Sequence, residues 1–524
     1  MAQPRQGLWL ILWSLLISLF LSALDSTIVA TALPTIVGDL GDLDHIAWVF
    51  TAYLLTSTIS VPLFGKISDI YGRRQVFQVT IVVFLIGSVL SGLSQSMTQL
   101  ILFRGIQGIG GGGLLAMTFT ILGDILSPRE RPQYMGYFTG VFAAASVIGP
   151  LVGGFFVDHL SWRWVFYVNI PFGIAALAVT AKYLHVPTPT ERRPIDFLGS
   201  ALFSVAVTTL LLGATWGGTE YPWTSPLIVG LLVSGVVLSL LFVLQERRAE
   251  EPLLPLRLFR NDVFSVCVVM GVLSGSVMVI ASVFLPLFLQ IVRGVSATNS
   301  GYLLVPMMGG VLIGSTYGGR LITRTGRYKP MTIVGGLLSI AGIAMLARID
   351  VDSSRTFVSI GMAILGLGVG TSSPVMTLAV QNVAAKADMG AATSAVNFFR
   401  SLGSAFGVAL FGSIQSARFH AVLSARLPGS AVVGDSILNS PKAVLALPPP
   451  TLHAIQAAVA SGVAVVFQWA LPVTVLAFLV SFFLREVPLR EDVNVGAAAI
   501  EGMEEAGFGV LGEPAPVGMD EGHH

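Results

Sequence analysis

Along this chain, apolar stretches long enough to cross a bilayer alternate with short polar connections. About 20 such residues, at a rise of roughly 1.5 Å each, span a hydrocarbon core of about 30 Å. Runs of that length fall near 8–33, 46–65, 75–95, 98–122, 134–157, 164–184, 195–215 and 226–245. Six more fall near 262–291, 299–322, 330–348, 356–381, 391–416 and 461–484. The pattern predicts an all-α membrane protein with fourteen transmembrane helices. The first run is too long for the apolar core of a cleaved leader, so it reads as a retained signal anchor.

Charge in the connections orients these helices. Alternate connections are basic: Lys66, Arg73 and Arg74; Arg129 and Arg131; Arg192 and Arg193; Arg247, Arg248, Arg257 and Arg260; Arg324, Arg327 and Lys329; then Lys386 and Arg485. The others are acidic or nearly neutral, as in Gly38-Asp39-Leu40-Gly41-Asp42-Leu43-Asp44. By the positive-inside rule both termini are cytoplasmic. A long external loop is expected over 417–460, carrying Arg418, Arg426 and Lys442, and a disordered cytoplasmic tail over 485–524.

Composition narrows the function. Hydrophobic residues make up 54% of the chain and charged ones 11%, with a mean hydropathy of +0.81. Soluble domains carry about 25% charge. A net charge of +1 leaves no footprint for nucleic acid, so the bilayer and small molecules are the expected partners, with the chain a monomer. The lone Cys267 reads as a small core residue. No metal-ligand spacing, Walker-type phosphate loop, catalytic cluster at membrane depth or repeated selectivity filter is visible. No cofactor is expected, and an ion gradient is left as the source of energy.

The chain also repeats itself. Gly65-Lys66-Ile67-Ser68-Asp69-Ile70-Tyr71-Gly72-Arg73-Arg74 follows the second helix, and Gly319-Arg320-Leu321-Ile322-Thr323-Arg324-Thr325-Gly326-Arg327-Tyr328-Lys329 follows the tenth. The spacing of 254 between Gly65 and Gly319 also carries Gly149 to Gly403, Gly153 to Gly407 and the first helix onto the ninth. Two six-helix halves are therefore predicted, 1–184 and 261–484, with two inserted helices and their connections over 185–260. Parallel six-helix repeats with a midplane site between them describe the major facilitator architecture.

Four polar motifs interrupt the helices. Asp25 is the one carboxylate well inside a predicted span, in its outer half. Ionisable residues in hydrocarbon are costly and default to function, and desolvation penalises the charged form, which suits loading and releasing a proton. Arg104, in Arg104-Gly105-Ile106-Gln107-Gly108, lies at comparable depth and is its expected partner in proton coupling. In the repeated loop, Gly65, Asp69, Gly72, Arg73 and Arg74 read as a latch, Asp69 pairing with an arginine or a neighbouring helix N-terminus. The second copy has Thr323 in place of the acid, so the latch should be asymmetric. Gly149, Pro150, Gly153 and Gly154 predict a bent helix with one close-packed face. Asn397 and Arg400 form a further polar cluster, open between an anchor and a cavity group.

In order and content these motifs resemble the fourteen-helix drug:proton antiporter group of the major facilitator superfamily, over roughly 8–484. Leu24 to Pro34 is similar to its first-helix signature, Trp162 to Pro171 to its fifth-to-sixth connection, and Leu285 to Gln290 to its ninth-helix segment. In that superfamily the Gly149-Pro150 motif accompanies antiporters. The resemblance implies a proton-coupled exporter of lipophilic or cationic small molecules in the cytoplasmic membrane, not an enzyme. A dedicated exporter of one metabolite, antibiotic or lipid-like compound is the alternative. Its cavity is expected near the midplane, with Trp48, Tyr53, Asn169 and Gln290 as lining candidates beside Asn397 and Arg400. One mid-span carboxylate predicts monocations or neutral amphiphiles over rigid dications, with Asp158 the nearest second acid.

Overall fold

In the computed structural model, the described residues are 6–41, 45–184, 194–218, 220–294, 304–427, 444 and 447–489. Arg192, Arg193, Lys442 and residues 490–524 of the expected tail lie outside them. The first six membrane helices are α1 (Gln6–Leu40), α2 (Ile46–Tyr71), α3 (Arg73–Leu93), α4 (Met97–Ile125), α5 (Arg131–His159) and α6 (Trp164–Tyr183, broken at Val168). Two more follow, α7 (Phe197–Trp216) and α8 (Pro226–Glu246). The last six are α9 (Asp262–Ile291), α10 (Val305–Thr325), α11 (Lys329–Leu346), α12 (Arg355–Val383), α13 (Met389–Arg426) and α14 (Pro449–Ser481). Among the described residues there is no strand. Thirteen helices are long and apolar enough to span; α10 has the length, 21 residues, but gives up apolarity to glycines and to Arg320 and Arg324.

Helix starts follow ordinary capping chemistry. Ser96, Ser225 and Ser354 accept the backbone N–H three residues on, and the Asn261 side chain accepts from Val263 and Phe264. Between α2 and α3 the chain turns at Gly72 with φ of 91°, and after α10 at Gly326 with φ of 69°. Both copies of the loop motif thus place their second glycine where a side chain would strain the backbone.

The packing has a twofold pattern. In the first six helices α1 packs on α5, α2 and α3 on α4, and α6 on α1 and α3. In the last six α9 packs on α13, α10 and α11 on α12, and α14 on α9 and α11. Between the two sets α2 meets α13 and α5 meets α10. The inserted α7 and α8 pack on each other, and α7 touches α2 and α13. The segment after α8 ties both sets together: Lys66 pairs with Glu251 at 2.8 Å and Arg257 with Asp388 at 2.8 Å.

Glycines set the closest approaches. A Cβ at Gly149 or Gly153 would collide with Thr27 or Thr31 of α1; one at Gly403 or Gly407 would collide with Val272 or Ser276 of α9. Thr27 and Thr31 therefore correspond to Val272 and Ser276, 245 positions on, nine short of the 254 that relates the glycines. In that register Asp25 corresponds to Met270, so the carboxylate has no counterpart in α9. Gly154, expected on the close-packed face, has open space where its side chain would go.

Two boundaries differ from the sequence reading. Helix α13 continues past 416 to Arg426, and α14 begins at Pro449, well before 461, so much of the expected 417–460 loop is helical. Phe419 and Leu423, one turn apart, join Ile455 and Val459 in one core, while Arg418, His420, Ser424 and Arg426 around them lower the hydropathy. Helical periodicity marks this extension; apolar run length does not. The tail is also ordered at its start. Asn382 donates to the carbonyls of Val487 and Pro488 at 3.3 and 3.1 Å, and the Tyr328 hydroxyl donates to Arg485 at 2.8 Å.

Gly153→Val and Gly407→Val should each cost about 1–3 kcal/mol by overpacking, read as a lower thermal midpoint in detergent. Gly154→Ala should leave the midpoint unchanged. Equal effects at all three positions would contradict the packing register.

Candidate functional site

Asp25 sits in the middle of α1 with no solvent exposure. Arg104 of α4, equally buried, donates through Nη1 to its Oδ2 at 2.6 Å. Gln107, one turn along α4, donates through Nε2 to Oδ1 at 2.7 Å and accepts from Arg104 Nη1 at 2.8 Å. Asn169, just past the break in α6, reaches Oδ1 at 3.4 Å and Ser88 of α3 at 3.0 Å. Ser88 in turn donates to the Phe166 carbonyl at 2.8 Å. The guanidinium of Arg104 lies 4.2 Å from the Tyr53 ring centroid, and its Nε donates to the Val49 carbonyl at 3.4 Å. Two polar atoms, Arg104 Nη2 and Asn169 Oδ1, are buried without a partner.

This arrangement brings together four residues singled out from the sequence: Asp25, Arg104, Tyr53 and Asn169. Tyr53 and Asn169, expected to line a cavity, belong to the shell of the ion pair instead. Gln107 and Ser88 were not identified from the sequence. Gln107 was legible, because a polar residue three positions after Arg104 shares its helix face. Ser88 carried no signal, since lone serines in membrane helices bond their own backbone routinely.

The loop motif builds a second polar centre at the end of the bundle that holds the α2–α3 turn. Asp69 pairs with Arg73 at 2.5 Å and accepts the backbone N–H groups of Gly390 and Ala391, at 3.0 and 2.9 Å. Those groups are the N-terminus of α13, so a carboxylate of the first half sits on the positive end of a helix of the second. Arg73 also holds Asp124 of α4 at 2.7 Å and Ser68 at 2.6 Å. A Cβ at Gly65 would strike Ser394, so this glycine lets α2 and α13 touch. Arg74 points elsewhere, to the Ala181 carbonyl of α6. In the second copy Thr323 bonds its own helix at Gly319, and among the described residues no carboxylate replaces Asp69 there.

Two latch residues escaped the sequence reading. Asp124 is a carboxylate in the last turn of α4, where the helix dipole disfavours it, and that conflict was the available signal. Gln381 bridges the halves by donating to Phe119 at 3.0 Å and accepting from Arg131 at 3.3 Å. Nothing local marked it.

The remaining candidates are dispersed. Trp48 faces the inserted α7, edge-on to Trp216 at 5.4 Å. Gln290 is half-buried in the last turn of α9, and Asp158 is exposed at the end of α5. Arg400 donates to Asn397 at 3.0 Å and to Ser373 of α12 at 3.3 Å. Near the C-terminal end of α1, Asp39 accepts from Trp162 at 2.8 Å and Arg163 at 3.1 Å, which hold its carboxyl below the usual range. That contact gives the Trp162-Arg163 motif a structural role.

The Major Facilitator Superfamily model matches residues 15–408. The Multidrug transporter protein MdtP of Bacillus subtilis is 41% identical over 405 residues, covering 77% of this chain and 75% of its own length. Multidrug resistance protein 3 of the same organism is 36% identical over 478 residues, covering 89% and 93%. Among solved structures, the proton:xylose symporter XylE superposes with a TM-score of 0.63 at 14% identity, over 92% of this chain and 97% of XylE. That likeness carries the fold alone.

Removing one partner from a buried ion pair typically costs about 3–5 kcal/mol, because the other charge is stranded. Arg104→Met should therefore destabilise strongly, and adding Asp25→Asn should recover most of the loss. Additive thermal shifts in the double variant would contradict a coupled pair. At the latch, Asp69→Asn removes charge-assisted bonds worth about 1.5–3 kcal/mol each. Spin labels at Gln75 and Ala387 should then show an added long-distance population; an unchanged distribution would contradict the latch.

Proposed function

This chain belongs to the Major Facilitator Superfamily, and we propose that it is a proton-coupled antiporter that exports lipophilic small molecules. Membership makes it a membrane transporter and not an enzyme, and relatives of more than a third identity are named for multidrug transport. The observation that carries the proton reading is Asp25: wholly buried in α1, held by Arg104, Gln107 and Asn169, and with its charge met by a single cation. A proton on Asp25 cancels the charge that Arg104 neutralises. The pair then loosens, α1 and α4 are freed at that depth, and protonation is tied to helix movement.

We place the α2–α3 and α10–α11 turns, and both termini, on the cytoplasmic side. Support comes from the basic residues at that end, Arg74, Arg129, Arg247, Arg324 and Arg485 among them. The latch between Asp69 and the α13 N-terminus then holds the cytoplasmic ends of the two halves together, and its opening admits cargo from the cytoplasm. A charge crossing a potential of 100 mV releases about 2.3 kcal/mol, enough for a cargo gradient of roughly fifty-fold per proton. Cationic cargo draws little support from this geometry, because Arg104 already occupies the carboxylate that would attract it.

Asp25→Asn keeps the volume and one acceptor oxygen but leaves Arg104 without its counter-charge, so its thermal midpoint should fall, and transport is compared per molecule of protein that reaches the membrane. In proteoliposomes under an imposed pH gradient its efflux of a lipophilic dye should fall to the background of empty liposomes. Wild-type efflux in that variant would remove Asp25 from coupling.

A further inference from the structure

Among the described residues, the membrane interior contains one complete ion pair, Arg104 with Asp25, and one cation, Arg400, with no carboxylate against it. Arg400 lies eleven positions after Met389 in α13, so a rise of about 1.5 Å per residue places it roughly 15 Å from the latch. Arg104 lies 20 positions before Asp124 in α4, about 30 Å from the same end. Arg400 is therefore near mid-depth and well separated from the Asp25 pair. Its partners are neutral, Asn397 and Ser373, and no carboxylate among the described residues lies within ion-pair distance. A guanidinium at the bilayer centre is costly, and such residues turn toward the protein interior or a wet cavity.

The group is also held in one orientation. Asn397, buried and anchored by donating to the Thr393 carbonyl at 3.1 Å, accepts from Nη2; Ser373 accepts from Nη1. Gly275 lets α9 press against the Arg400 backbone, and Ser404 closes that contact by donating to the Gly275 carbonyl at 3.0 Å. Arg400 is half-buried at the seam of α9, α12 and α13. Two of its five N–H donors are spent, and a planar fork with free donors matches the paired oxygens of an oxyanion such as a carboxylate.

We propose that Arg400, oriented by Asn397 and Ser373, is a subsite for the anionic oxygen of an amphiphilic cargo, a carboxylate or phenolate on an apolar body. This rests on the export reading above and narrows it: acidic amphiphiles are preferred over cations of the same shape. The separation from Asp25 means that cargo and proton are coupled through helix movement and not by direct attraction.

A matched pair of xanthene dyes tests the idea, anionic fluorescein against cationic rhodamine 123. Binding to the purified full-length protein is read by fluorescence anisotropy. The wild type should bind fluorescein at least tenfold more tightly than rhodamine 123. Arg400→Gln should abolish that preference while keeping the wild-type affinity for rhodamine 123, and Arg400→Lys should retain part of it. A wild type that favours rhodamine 123, or an Arg400→Gln protein that still favours fluorescein, overturns the proposal. The wild-type comparison decides even if Arg400→Gln does not fold. Proton-driven efflux is measured separately in proteoliposomes: absence of efflux for both dyes counts against export, while the binding preference alone judges Arg400.

Discussion

A bilayer offers no counter-charge and no water, so every ionised side chain within it must be paired by the protein or face a wet path. Asp25 is the point where that constraint acts hardest. Four helices, α1, α3, α4 and α6, are brought to one place by what its carboxylate requires: Arg104 for charge, Gln107 and Asn169 for hydrogen bonds, Ser88 to hold Asn169. The Tyr53 ring adds α2 by covering the guanidinium, a contact worth about 0.5–2 kcal/mol. The pair therefore has two states with different demands on packing. Ionised, it draws α1 and α4 together; neutral, it leaves Arg104 seeking another partner.

The second constraint is close contact. Between helices in lipid there is no hydrophobic drive, so small residues that admit backbone approach take its place. Gly149 and Gly153 against α1, and Gly403 and Gly407 against α9, repeat one interface in both halves. The halves themselves are joined differently. At one end Asp69 sits on the N-terminus of α13, and at the equivalent place in the other copy Thr323 satisfies itself. The strong tie is made once, by one charge at one end.

Much of this was legible in the sequence, for reasons that differ by element. Length and apolarity marked the helices because the bilayer imposes both. Asp25 and Arg104 stood out because charge is rare at that depth, and the 254-residue spacing exposed the repeat through its glycines. Helix continuation was hidden where hydropathy falls but periodicity persists, as from Arg418 to Arg426. The register of α1 against α9 was hidden too, since the stretch from α9 to the second loop motif is nine positions longer than that from α1 to the first, and only contacts reveal it. Gln381, Asp124 and Ser88 join polar networks across 50 or more residues of sequence, and no local pattern encodes such partners. Tyr53 and Asn169 were found for the wrong surroundings: their polarity serves the ion pair, not an open cavity.

The proposed coupling between Asp25 and cargo movement can be read directly as proton flow. Proteoliposomes carrying a luminal pH dye, with no imposed gradient other than that of a lipophilic cargo, should show a pH change on cargo addition. That change should scale with the amount of protein and vanish in Asp25→Asn. Cargo movement by the wild type without any pH change, or an identical change in Asp25→Asn, would contradict a proton carried on Asp25.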